Sequence, residues 1–161
     1  RKSEPRIVQP RLGAVAAARK LGAVTIGVSC TPNSELSQAV DIPITPLPGP
    51  EILTGSTRLK AGTATKLVLN MLTTGAMIRL GYVYDNLMVN VQPKNEKLID
   101  RARRVIASAA GVNAEDAARL LEAAGGVVKT AIVMGVRKVG REQAEELLRR
   151  GHGRISAALG L

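Results

Sequence analysis

The first half of the chain carries strand patterns in only two short places, and this scarcity limits what it can fold into. Residues 23–29 form an apolar run without polar alternation, which is typical of a parallel strand covered on both faces. Residues 41–45 form the second, and Pro43 favours a position at the edge of a sheet. Because sheets of this type usually have about five or six strands, residues 1–92 predict only the later part of an α/β domain.

Helical patterns surround these strands. The spacing of apolar residues predicts a helix over residues 11–23, a short one over 34–39 and a long one over about 57–80, which Gly81 closes. The long helix is apolar on more than one face. That pattern is typical of a helix buried in a core or in a subunit interface.

From Pro93 the chain changes to short helical patterns separated by glycines. Asn95 and Asn113 stand where helix-capping side chains are favoured, and glycine follows each predicted helix. The pattern predicts a small bundle of four helices, over about residues 95–111, 113–125, 129–138 and 141–150. We therefore predict two domains, residues 1–92 and residues 93–161.

Few side chains can carry metal or redox chemistry. Cys30 is the only cysteine and His152 the only histidine, whereas a zinc site usually draws about four ligands, mostly from these residue types. Cys30 follows the apolar strand and is predicted to be a buried small hydrophobe. His152 lies between two glycines and is predicted to be exposed. We expect no metal and no cofactor.

The location of the chain also follows from its hydropathy pattern. No window approaches the roughly 18 consecutive apolar residues of a membrane span. Residues 1–20 lack the apolar stretch of a signal peptide. We expect a cytoplasmic protein without a membrane partner.

The charge balance favours anionic partners. The chain has 23 lysines and arginines against 13 acidic residues, a net charge of +10, which is a property of many nucleic-acid-binding proteins. However, Tyr82 and Tyr84 are the only aromatic residues, so the chain lacks the platforms on which single-stranded bases stack. We expect small anions rather than nucleic acid as partners.

The densest polar passage, PEILTGSTRLKAGTATK, runs from Pro50 to Lys66 at the start of the long helix. Amides at a helix N-terminus attract anions, and hydroxyl, lysine and arginine groups add donors and charge. The spacing matches neither a Walker loop nor a dinucleotide fingerprint. Two interpretations remain, a phosphate site and an ordinary capped helix start. The candidate binding residues are Glu51, Thr54, Gly55, Ser56, Thr57, Arg58 and Lys60.

The run GPEILTGSTRLKAGTATKLVLNMLTTGAMIRLGYVYDNLMVNVQPKNEKL, from Gly49 to Leu98, closely resembles the N-acetylmuramic acid 6-phosphate etherases. The segments LGAVTIGVSCTPNSEL and KTAIVMGV resemble the same family, so the resemblance covers about residues 12–161. These are sugar-phosphate enzymes of the sugar isomerase (SIS) fold, related to the glucokinase regulatory protein. The resemblance implies the later part of a doubly wound parallel SIS-type sheet, followed by a small all-α domain similar to ubiquitin-associated (UBA) domains.

The resemblance also implies an activity. The family cleaves the D-lactyl ether of N-acetylmuramic acid 6-phosphate and gives N-acetylglucosamine 6-phosphate and D-lactate. The reaction is thought to run by elimination and then water addition, which needs a base for the C2 proton and an acid for the leaving oxygen. The implied partners are a sugar phosphate, held by the polar passage with Glu51 at a sugar hydroxyl, and a second copy of the chain in a homodimer.

The chain departs from the family pattern in two respects. The two glutamates thought to act as acid and base belong to an earlier half that these 161 residues do not contain. A Ser-Gly-Arg-Thr-Pro segment is also expected before the first helix, but residues 5–9 do not match it, and residues 1–11 depart from the family as a whole. We therefore assign no catalytic residue and expect these residues alone to be inactive. The alternatives are a non-catalytic sugar-phosphate-binding regulator and a dimerisation module of SIS type.

Overall fold

A computed structural model describes residues 9–161 of the chain, and these residues contain eight helices and four short strands. Residues 1–8, which hold most of the segment predicted to depart from the family pattern, lie outside the described residues. The chain divides into two compact units, the first ending at Thr73 and the second spanning Thr74–Leu161. The predicted domain division between residues 92 and 93 stays a prediction.

The first unit is a parallel strand pair with helices. Its elements are α1 (Gln9–Lys20), β1 (Ile26–Val28), α2 (Glu35–Ala39), β2 (Ile42–Ile44) and the larger part of α3 (Lys60–Arg79). The two strands pair in parallel, with Ile26 opposite Ile42, and α2 is the crossover between them. Ser34 caps α2, since its side chain accepts a hydrogen bond from the amide of Ser37 at 3.2 Å. Both predicted strands are confirmed, at shorter lengths.

Among the described residues of this unit, the strand pair is covered on one face only, so for these residues the prediction that β1 is covered on both faces is wrong. Gly27 is buried, and a Cβ there would lie 2.9 Å from both methyl carbons of Val40. Its neighbour Ile26 points the other way and is 50% exposed. Alternate residues of a strand face opposite sides of a sheet, and the described residues of this unit pack against one of them. Val40 is the only apolar side chain among those residues that is buried.

The long helix α3 begins at Lys60, three residues after the predicted start at Thr57. None of its residues is buried, so the expectation of a helix buried in a core is wrong for these residues. The expectation of a subunit interface stays a prediction.

The second unit begins with the end of α3 and a short hairpin. The hairpin pairs β3 (Val83–Tyr84) with β4 (Leu87–Met88) in antiparallel fashion. Asp85 takes a positive φ of 53° in the connecting turn. Val89 and Val91 follow the hairpin and are buried in the helical core.

The rest of the second unit is a bundle of short helices. They are α4 (Glu96–Ala110), α5 (Ala114–Ala123), α6 (Val128–Arg137), α7 (Arg141–Arg150) and α8 (Ile155–Leu159). The four predicted helices and their asparagine caps are confirmed, since Asn95 accepts the amide of Leu98 at 2.9 Å and Asn113 that of Asp116 at 2.8 Å. The sequence did not predict α8, whose Ile155 joins Ile106 and Ile132 among the largest fully buried side chains.

The fold is thus mixed α/β, with a small parallel sheet in the first unit and a helical bundle in the second. In the part of the chain that the structure describes, no helix combines the length and apolar character needed to cross a bilayer.

Candidate functional site

The polar passage folds as a loop that leads into α3, and its one carboxylate caps that helix. The amide of Lys60 donates to Glu51 Oε2 and the amide of Ala61 donates to Glu51 Oε1, each at 2.9 Å. Both oxygens of one carboxylate therefore accept amides of the first helical turn. These amides have no carbonyl partner within the helix, so a side chain nine or ten residues earlier satisfies them.

The two amides hold the pKa of Glu51 below its usual value. The Ala61 amide contributes most, then the Lys60 amide, with a smaller contribution from the Lys60 ammonium group. Partial desolvation opposes this shift without cancelling it. A carboxylate that stays ionised in this way is a poor proton acceptor, because a general base works best with a pKa near the operating pH.

The hydroxyl-bearing part of the loop precedes α3 and faces solvent. Thr54, Thr57 and Arg58 are exposed and Ser56 is half-buried. Within residues 9–161, no hydrogen bond engages the side chains of these four residues. Three hydroxyls and a guanidinium group in one short loop can therefore donate to an anionic ligand.

The backbone of this loop makes a tight turn. Gly55 has a φ of +89°, a conformation that glycine adopts without strain, and the amide of Ser56 donates to the carbonyl of Leu53 at 3.0 Å. No Cβ contact would arise at Gly55, since no atom lies within 4 Å of the ideal position. The glycine is thus required by the backbone conformation, and its surroundings are open to a ligand.

Cys30 contacts the first turn of α3 from the end of β1. Its Sγ lies 3.6 Å from the carbonyl oxygen of Ala61 and 3.7 Å from Thr65 Oγ1. The side chain is half-buried, less than the sequence predicted. The contact places the start of α3 at the carboxyl end of a parallel strand, the edge at which open α/β sheets bind their ligands.

The structure corrects one part of the predicted phosphate site. The sequence predicted free amides at the start of the long helix, but Glu51 occupies those of Lys60 and Ala61. Sequence reasoning missed this cap because the familiar capping box joins residues three apart, whereas Glu51 lies nine positions before Lys60. The other candidate residues lie in the loop as predicted, and their role in binding stays a prediction.

Outside this loop, His152 and the acidic side chains of the described residues form no metal-binding cluster. His152 is exposed, as predicted, in a turn where its φ is +52°. Across residues 9–161, no group of three or more His, Cys, Asp and Glu side chains lies close enough to hold a metal ion.

Comparison with known proteins gives a strong match over most of the chain. No family model matches it. N-acetylmuramic acid 6-phosphate etherases of Yersinia pestis (strain Pestoides F) and Yersinia pseudotuberculosis (serotype O:1b, strain IP 31758) are each 51% identical to it over 148 residues. These residues make up 92% of this chain and 50% of each relative. The chain resembles the C-terminal half of these etherases.

The etherase resemblance inferred from the run Gly49–Leu98 is thereby confirmed. The chain spans about half the length of the curated relatives it matches.

Proposed function

We propose that this chain is the C-terminal half of an N-acetylmuramic acid 6-phosphate etherase, an enzyme that releases D-lactate and N-acetylglucosamine 6-phosphate. The observation that carries the proposal is the 51% identity over 148 residues to proteins of that name. The exposed loop of hydroxyls and positive charge before α3 supports it, since a sugar phosphate needs donors of this kind. A cytoplasmic location is part of the proposal.

In this proposal the loop binds the sugar phosphate. The hydroxyls of Thr54, Ser56 and Thr57 would donate to phosphate or sugar oxygens, while Arg58 and Lys60 would supply positive charge. Gly55 would let the ligand approach the backbone. Charge-assisted bonds of this kind contribute about 1.5–3 kcal/mol each.

The proposed reaction also needs a base for the C2 proton and an acid for the leaving oxygen. Glu51 suits neither task, because its two oxygens accept helix amides and its pKa is lowered. We therefore assign both tasks to the other half of such an enzyme. The loop residues of this chain would bind and orient the substrate.

Two further features of the proposal concern architecture. The parallel unit β1–α2–β2 would be the later part of a SIS-type sheet, and the helices from α4 onward would be its UBA-like domain. A homodimer through α3 is supported by the exposed apolar residues on that helix. Exposed apolar surface of this extent commonly marks an interface.

The experiment that tests the activity is a chimera. The N-terminal half of the Yersinia pestis relative is fused ahead of the matched region of this chain, and D-lactate release from N-acetylmuramic acid 6-phosphate is measured. We expect lactate from the chimera and none from these 161 residues alone. A folded chimera that binds N-acetylglucosamine 6-phosphate without releasing lactate would favour the non-catalytic regulator. Lactate from the 161 residues alone, lost on Glu51→Gln, would show that Glu51 is catalytic.

A further inference from the structure

We propose that Glu51 is a positioning residue, which holds the loop Ile52–Leu59 in its ligand-binding shape by accepting the amides of Lys60 and Ala61. The inference rests on the proposed function, because it assigns a role within the proposed sugar-phosphate loop. It changes the role first expected for Glu51, which was to touch a sugar hydroxyl.

The first support is the geometry of loop closure. Glu51 precedes the loop, and its carboxylate bonds the helix that follows the loop, with both contacts at 2.9 Å. The two bonds therefore join the ends of an eight-residue segment, Ile52–Leu59. Two bonds from one planar carboxylate also fix the orientation of the group, which a single bond would not.

The second support is that few other contacts restrain the first part of the loop. Ile52 is 77% exposed and Leu53 is 63% exposed, so apolar packing does not hold this segment in place. In the described part of the chain, the Ser56–Leu53 bond is the only backbone hydrogen bond with both partners inside the loop.

Two backbone bonds join the end of the loop to α3. The Gly62 amide donates to the Thr57 carbonyl at 2.9 Å, and the Thr63 amide donates to the Leu59 carbonyl at 3.1 Å. The bonds of Glu51 are the polar contacts that join the start of the loop to the same helix.

The third support is electrostatic. The N-terminus of a helix carries a partial positive charge, and an ionised carboxylate there already compensates it. A ligand phosphate would be repelled by Glu51 at that place and would find the Lys60 and Ala61 amides occupied. The phosphate is therefore directed to the loop hydroxyls and to Arg58, whose side chains make no hydrogen bond within residues 9–161.

The test uses the 161-residue chain and three variants. Glu51→Gln keeps the shape, but it replaces one acceptor oxygen with an NH2 group that faces a helix amide. Glu51→Asp keeps the charge on a side chain shorter by one methylene. The matched control is Glu35→Gln, since Glu35 is an exposed glutamate in the first turn of α2. Titration with N-acetylglucosamine 6-phosphate at low salt is followed by backbone amide chemical shifts, and hydrogen exchange is measured without ligand.

For the wild-type chain we expect ligand-dependent shifts at Thr54–Arg58 and slow exchange at the Lys60 and Ala61 amides. Glu51→Gln should weaken binding about tenfold, the loss of one bond to a charged group, and speed exchange at those two amides. Glu51→Asp should recover part of the affinity, and Glu35→Gln should bind like the wild type. Unchanged amide shifts of β1 and β2 verify that the first unit of each variant is folded.

The contrary outcomes are distinguishable. If the wild-type chain binds at the loop and Glu51→Gln binds equally well, Glu51 is only a helix cap and the inference is wrong, while the proposed function stands. If the ligand shifts Lys60 and Ala61 in the wild type and not the loop, the inference is again wrong. If the wild-type chain shows no ligand-dependent shift anywhere, the proposed sugar-phosphate site and the inference with it are wrong.

Discussion

Gly81 and Gly111 both adopt positive φ angles at helix ends, but only one of them is enclosed by other residues. At Gly81 (φ +71°) a Cβ would lie 2.7 Å from Arg154 Cγ and 3.1 Å from the carbonyl oxygen of Gly153. At Gly111 (φ +63°) no atom lies within 4 Å of that position. Lys129 strengthens the packing near Gly81, because its ammonium group donates to the same Gly153 carbonyl at 2.8 Å and lies 5.1 Å from the centre of the Tyr82 ring.

This difference predicts unequal effects of the same substitution. Gly111→Ala should cost about 1 kcal/mol from backbone strain alone. Gly81→Ala should cost a further 1–3 kcal/mol or so, because backbone atoms of residues 153 and 154 must move. Urea unfolding of the second unit, followed by its amide signals, measures both. Equal costs for the two variants would contradict the packing explanation.

Asp41 joins α1 to the strand pair. Its carboxylate accepts hydrogen bonds from Arg19, from the hydroxyl of Thr25 at 2.6 Å and from the amide of Thr25 at 2.8 Å. The Arg19 bond, followed by the two Thr25 bonds, holds the pKa of Asp41 well below its usual value. The network explains why a polar residue, Thr25, is buried beside β1.

The lowered pKa of Asp41 predicts a pH dependence of stability. A carboxyl group whose pKa is lower in the folded state stabilises the fold above its unfolded pKa, about 4, and loses that contribution as the pH falls further. The first unit should therefore lose stability as the pH falls from about 5 down through the lowered folded-state pKa of Asp41. The Asp41→Asn variant should be less stable than the wild type at pH 7. Its stability should also fall less below about pH 5, because only the contribution of the Glu51 carboxylate is then lost. Parallel pH profiles of urea unfolding for the two proteins would rule this out.

Among the elements, α3 departs most from its expected environment. Its periodicity and length are those of a stable helix, yet Leu67 is 54% exposed, Leu69 48% and Met71 65%. In α6, by contrast, seven residues are buried, and that helix lies at the centre of the bundle core. The helices α3 and α6 thus have similar apolar content but differ in burial, because among the described residues neighbouring elements surround only α6.

The exposed apolar residues of α3 predict self-association. We expect the chain to sediment as a dimer at micromolar concentration, since pairing removes this surface from water at about 25 cal/mol per Å². Met71→Glu should raise the dimer dissociation constant at least tenfold. Val127→Glu is the control, because Val127 is 47% exposed in the second unit and outside α3. A wild-type chain that sediments as a monomer would refute the dimer.

At the scale of the whole molecule, the two units differ in how much core they have. Among residues 9–161, the buried apolar residues other than Val40 all follow residue 88 and form one cluster in the second unit. The first unit carries the proposed ligand loop, and among its described residues one face of the strand pair is open. The bundle therefore has the buried core of an independent domain. The first unit also contains many apolar residues, but of those that the structure describes only Val40 is buried.

Local signals in the sequence were sufficient for most of the elements. The caps at Ser34, Asn95 and Asn113 and the glycine at residue 111 act within one helical turn, so the residues themselves specify where α2, α4 and α5 begin and where α4 ends. The hydrophobic period did the same for α4, which has one apolar face, and the flanking glycines did so for α6 and α7. The helix α8 was missed because five residues are too few to show a period.

Other features depend on contacts between residues far apart in the chain, and those contacts only the folded structure reveals. The apolar runs of β1 and α3 indicated burial on more than one face, but which faces are covered depends on what packs there. The loop residues from Thr54 to Arg58 could be selected by composition, since hydroxyl and charged groups are recognisable in any conformation. The role of Glu51 could not be predicted in this way, because its bonds to Lys60 and Ala61 form only when the intervening loop closes. No local spacing rule joins residues so far apart in the chain.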